Sequence, residues 1–152
     1  MESSASVRIL VVANRTAATP GLIQAVRERA GRGKCTFTLL VPAWAHGLHK
    51  VMDPEDAAAQ DEAQATLELA IPLLEEAAGS AVEGIVGDHE PLNAIHDAIN
   101  LRGFDEVIIS TLPQRVSRWL RLDLPHKVAG MGLPVTTVTA QGREQIPAHA
   151  QA

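Results

Sequence analysis

Short runs of apolar residues alternate along this chain with longer stretches in which apolar positions recur every three or four residues. The first run, "VRILVVA" (7–13), is rich in β-branched residues and has the length of a strand buried on both faces. Thr19 then stands at the cap of a helix with Pro20 at its first position. Leu22, Ala25, Val26 and Ala30 form its apolar face, and "GRG" (31–33) ends it. "CTFTLLVPA" predicts the second strand. A long link leads to Asp53-Pro54, which opens an acidic helix with Leu67, Ile71, Leu74 and Ala78 along one stripe. Pro72 is expected to kink or divide that helix. "AVEGIV" (81–86) is the third strand. A helix with Leu92, Ile95, Ala98 and Ile99 inward follows, then the strand "DEVIIS" (105–110). Residues 114–131 predict one helix capped at Ser117, and "LPVTTVTA" the fifth strand. After Gln141 the tail "GREQIPAHAQA" has little to bury and is expected to be mobile.

This β-α-β alternation predicts a parallel sheet with helices on both faces. With 152 residues, 46% of them apolar, one domain spanning 1–152 can bury a proper core without staples. Cys35 is the lone cysteine, so no disulfide framework exists, and a buried inert thiol in a cytoplasmic protein is expected. The opening "MESSASVRILVVA" lacks the basic region and the length of a leader or membrane span. A net charge of −5 argues against broad nucleic-acid affinity, which requires a basic surface to displace counterions. The charge is uneven, however. Residues 53–76 are strongly acidic, and 115–127 are basic apart from Asp123.

Ligands in parallel sheets bind beyond the carboxyl ends of the strands, where strand order reverses. The stretch "STLPQRVSRWLRLDLP" (110–125) leaves the fourth strand at that edge. It admits two readings. In one, Ser110 and Thr111 donate hydrogen bonds to an anion while Arg115 and Arg118 close over it at the helix start after Ser117. In the other, the arginines are a solvated helix face pairing with the acidic helix or Asp123, and Trp119 and Leu120 pack inward. Elsewhere, His46 and His49 with Asp53 are an incomplete metal set, so no metal site is expected. Asp88 and Glu90 are read as turn and cap residues before Pro91, and His96 as solvent-facing. No nucleophile elbow, Walker loop or dinucleotide fingerprint is present, and no catalytic residue is assigned.

Four segments together resemble the universal stress protein family: "RILVVANRT", "FTLLVPA", "GDHEPLNAIHDAINLRGFDEVIIS" and "STLPQRVSRWLRLDLPHKVAGMGLPVTTV". Asn14 stands where the family usually has an aspartate. Val41 matches the residue whose backbone meets an adenine. ATP-binding members carry glycines in the loop after the fourth strand, and the matching places here hold Ser110, Pro113, Asp123 and Leu124. The backbone approach to phosphates that glycine permits is lost, and Pro113 lacks a donor. The resemblance implies a flavodoxin-like, adenine nucleotide alpha hydrolase-like three-layer sandwich with five parallel strands in the order 3-2-1-4-5. It also implies a stress-associated, cytoplasmic binding or regulatory protein without turnover. ATP or another nucleotide is the implied small anionic ligand, with Asn14, Val41, Ser110, Thr111, Arg115, Ser117 and Arg118 around it and ATP affinity weakened. A ligand-free dimeric interaction module is the alternative. A homodimer is expected through the final strand, Leu133–Thr139, whose apolar edge would otherwise be unpaired.

Overall fold

A computed structural model describes residues 6–14, 16–43, 54–112, 118–139 and 142–146, with backbone only for 54–60, 121 and 142–146. Five strands run parallel: β1 (Val7–Val12), β2 (Cys35–Pro42), β3 (Val82–Gly87), β4 (Glu106–Ser110) and β5 (Val135–Thr139). A sixth, β6 (Gly142–Ile146), is antiparallel to β5, and the sheet order is β3-β2-β1-β4-β5-β6. The parallel part reproduces the expected 3-2-1-4-5 order. The His46–Asp53 segment, Pro113, Arg115 and Ser117 lie outside the described residues.

β1 shows why a continuous apolar run marks a central strand. Alternate side chains point to opposite faces. Ile9 and Val11 enter the layer formed with helices α1 (Pro20–Ala30) and α2 (Pro54–Ala78), whereas Leu10 and Val12 enter the opposite layer. That second layer holds α3 (Pro91–Arg102) and the two short helices α4 (Arg118–Arg121) and α5 (Leu124–Ala129). All four β1 side chains are fully buried, and each contributes about 1.5–3 kcal/mol relative to exposure. At the amino edge of the sheet, the Arg8 N–H donates to Asp105 (2.8 Å) and the Asp105 N–H to the Arg8 carbonyl (2.7 Å). These bonds set the register in which β4 joins β1.

Four local features differ from the sequence expectation. Pro72 lies within α2 and does not divide it; Ala63, Leu67, Ala70, Leu74 and Ala77 bury a continuous stripe on both sides of the proline. Thr19 and Glu90 occupy N-cap positions, but neither side chain caps; both helices start with proline, which leaves no N–H to satisfy at that position. Of the helix expected over 114–131, the described part, 118–131, forms two short pieces. Asp123 adopts the left-handed conformation (φ 58°) between them, which ends α4, and α5 restarts at Leu124 with Pro125 in its first turn. Finally, the tail is not without structure: 142–146 forms β6, with Ile146 opposite Val135 and Gly142 opposite Thr139. β5 is therefore paired on both sides, and the open edge on which the expected dimer rested is occupied by the chain itself.

The helices approach the sheet closely where glycine permits it. A Cβ on Gly87 would lie 2.8 Å from both the Ala94 Cβ and the Leu40 Cδ1. The alanine methyl is fixed to the α3 backbone and cannot swing away. Gly87→Ala should therefore cost about 1–3 kcal/mol by overpacking. A fall of several degrees in melting temperature is expected, and an unchanged melt would show that α3 can shift outward.

Candidate functional site

β2 lies on one side of β1 and β4 on the other, so strand order reverses beside β1 and a crevice is expected at the carboxyl ends of β1 and β4. The chain leaves β1 through Asn14 and turns at once. The Ala17 N–H donates to the Asn14 carbonyl and the Thr19 N–H to the Thr16 carbonyl, both at 3.2 Å. The half-buried Asn14 side chain donates from Nδ2 to the Pro42 carbonyl (3.2 Å), tying the end of β1 to the end of β2. Val41, one residue earlier, is paired with Val86 of β3, and its side chain is fully buried. The Ala43 N–H donates to the Gly87 carbonyl (3.0 Å), extending the strand-end pairing to β3.

On the β4 side the polar groups turn inward. The Ser110 and Thr16 hydroxyls are 2.6 Å apart across the β1–β4 junction, and the two residues are only 2% and 8% exposed. Thr111 is 4% exposed; its N–H donates to the Val138 carbonyl (2.9 Å) and its hydroxyl to the Leu112 carbonyl (2.9 Å). Both hydroxyls that the sequence proposes as anion donors are thus hydrogen-bonded within the protein. Sequence reasoning does not single out Thr16: its turn mixes Asn14, Arg15, two alanines and Thr19, and nothing local marks a partner 94 positions away. Thr137 on β5 is also buried, and its Oγ1 finds no hydrogen-bond partner.

Arg118 is exposed at the start of α4. Among the described residues α4 is a single turn of four residues, and the Ser117 start on which the anion-binding reading relies lies outside them. Trp119 is half-buried and packs against the α3/α5 core layer, which agrees with the inward-packing reading. The acidic helix α2 belongs to the other layer, so the sheet stands between it and Arg118. Asp123 meets His126, with Oδ1 and Nδ1 2.6 Å apart on the surface.

Near the third connection, Asp88 accepts a hydrogen bond from Asn93 (3.3 Å) and lies 3.2 Å from His89, in an exposed arrangement. His96 is exposed, as expected. Among the described residues no group of three or more His, Cys, Asp or Glu side chains could hold a metal ion. Nor is any described helix long and apolar enough to cross a membrane.

A groove of about 620 Å³ opens at the opposite, amino edge, between the end of α1 and the starts of β4 and β5. Arg29 on its wall forks onto the Glu106 carboxylate, and this bond holds the guanidinium pKa above its usual value. Cys35 is half-buried nearby; its thiol pKa is pushed up, chiefly by desolvation, which keeps it protonated and unreactive at neutral pH.

No protein-family model matches the chain, and no curated protein does. Solved structures do. The chain is similar to the crystal structure of a hypothetical protein, PH0823, with 15% identity and a TM-score of 0.56 over 94% of this chain and 98% of that one. It is also similar to a universal stress protein crystallised in complex with cAMP, with 14% identity and a TM-score of 0.50 over 82% and 91% of the two chains. At such identities the likeness is one of fold. The chain has the universal stress protein-like α/β fold that its sequence resembles.

The Thr16–Ser110 pair yields a test. Ser110→Ala leaves the Thr16 hydroxyl buried without its partner and should cost about 1–3 kcal/mol, as should Thr16→Val. The double variant should cost clearly less than the sum, since it leaves neither hydroxyl stranded. Denaturant melts of the four proteins check this; simple additivity would mean that the two hydroxyls are not coupled.

Proposed function

We propose that this protein is a non-catalytic binding and regulatory protein of the universal stress type. Its ligand is an adenine nucleotide bearing a single phosphate, taken at the β1–β4 switch point in preference to ATP. The observation that carries this reading is the Asn14–Pro42 bond. It fixes the ends of β1 and β2 beside Val41, where an adenine would lie, and does so independently of the loop after Ser110. The phosphate end is the weaker half. Ser110 and Thr111 direct their hydroxyls inward, and neither position has a glycine's close backbone approach. A triphosphate demands several converging donors. A cyclic monophosphate carries one negative charge and demands far fewer. The structurally similar universal stress protein in complex with cAMP is consistent with such a ligand. Arg115 and Arg118, with Ser117, are proposed to flank the phosphate.

The second reading is a ligand-free interaction module in a cytoplasmic stress-associated role. It is favoured by the same internal bonding of Thr16, Ser110 and Thr111, which leaves the crevice poor in free donors. Pairing of copies at this flank would then use the outer edge of β6, since β5 has a neighbour on each side.

Calorimetric titration separates the readings. Cyclic AMP is expected to bind at least about tenfold more tightly than Mg-ATP, a difference of about 1.4 kcal/mol. Tight Mg-ATP binding would show that the arginines replace the glycine loop. Absence of heat with both nucleotides, together with an unmoved melting temperature, would leave the interaction module.

A further inference from the structure

The outer face of α2 carries a pattern that its role in the core does not require. Glu62, Thr66, Leu69, Leu73 and Glu76 follow one another at helical spacings of four, three, four and three residues and therefore share one side of the helix. Leu69 is 66% and Leu73 38% exposed, and the two glutamates at the ends of the stripe are exposed as well. Glu68 adds a further exposed carboxylate, and every charged residue of α2 is an acid. The stripe from Glu62 to Glu76 is about 21 Å long. Its shape is an apolar centre between negative ends.

The complementary pattern occurs in the same chain. The segment 115–127 is basic apart from Asp123. Within it Arg118, Leu122 and Lys127 are exposed, Leu122 at 44%. Arg118 and Leu122 are four residues apart, and the Leu122 N–H donates to the Arg118 carbonyl, so the cation and the leucine lie on the same side of one helical turn. The sheet separates the two patterns: α2 packs on one face of it and α4–α5 on the other. They cannot meet within one molecule.

We infer that they meet between molecules: the α4 turn of one copy docks on the outer stripe of α2 of another, Leu122 against Leu69 and Leu73, with Arg118 and Lys127 toward the glutamates. This goes beyond the nucleotide reading and uses neither the carboxyl-edge crevice nor the β6 edge. The two surfaces are different, so the contact is heterologous, and repetition gives open chains or a ring. The apolar area is small, which makes the association weak and strongly dependent on electrostatics.

Sedimentation of the nucleotide-free full chain tests it. Association rising with protein concentration is expected at about 0.1 M salt, where charges act over roughly 10 Å, and loss of it at about 1 M salt, where they act over roughly 3 Å. Glu62→Lys/Glu76→Lys makes both ends of the α2 stripe basic, like the α4–α5 surface, and Arg118→Glu/Lys127→Glu places acids on the α4–α5 surface as well as on α2. Each variant alone should associate at least about tenfold more weakly than the unmodified chain. Mixed in equal amounts they should associate again, because each then supplies the charge that the other lacks. All four substitutions are at exposed positions, and circular dichroism verifies that the fold is kept. A chain that stays monomeric at low salt overturns the inference. So does association that ignores salt and both variants, or a mixture that fails to recover it.

Discussion

The double burial of β1 governs the rest of this structure. A strand paired on both edges and covered on both faces can present nothing but apolar side chains, and Ile9 through Val12 do so. With β1 fixed in the middle, β2 and β3 extend the sheet one way, and β4 and β5 the other. The reversal of strand order, and with it the position of the crevice, follows from that one choice. The first turn out of β1 must then reconcile a fully apolar strand with a polar edge. It does so through Asn14 reaching toward β2 and Thr16 toward β4. The edge at which a ligand is proposed is thus also the place where the two halves of the sheet are fastened together.

That double duty explains why the carboxyl edge looks different in sequence and in space. In the sequence, Ser110 and Thr111 look like donors waiting for an anion, because a hydroxyl pair at a strand end suits that role. In the fold they are buried, and burial obliges a hydroxyl to find a partner locally. Their bonds to Thr16 and to the Leu112 carbonyl satisfy that obligation. Single-sequence reasoning identifies the edge but not the partner, because Thr16 and Ser110 are 94 positions apart and come together only through the β1–β4 pairing.

What could be read directly was whatever depends on a local period or a local breaker. The strand runs, the α1 and α3 faces and the acid helix were legible from periodicity, whereas the 3-2-1-4-5 order was implied by the resemblance of four segments to the universal stress protein family. The inward packing of Trp119 was legible as well. Less accessible was anything decided by balance. Whether 118–131 is one helix or two turned on Asp123, whose left-handed backbone separates α4 from α5. Whether the tail forms a strand turned on the free edge of β5, since "GREQI" has little strand signal of its own and gains order from the ladder that it completes.

The added strand has a bearing on solubility. "VTTVT" has the features of an aggregation-prone segment: β-branched throughout, uncharged and free of proline. Left at the rim, its backbone would be a template for any unfolded chain of similar character. β6 places "GREQI" there instead, so that a sequence with one acid and one base forms the margin of the sheet. The same five residues that lengthen the fold thereby cover the backbone edge of β5 that would otherwise stand open to other molecules.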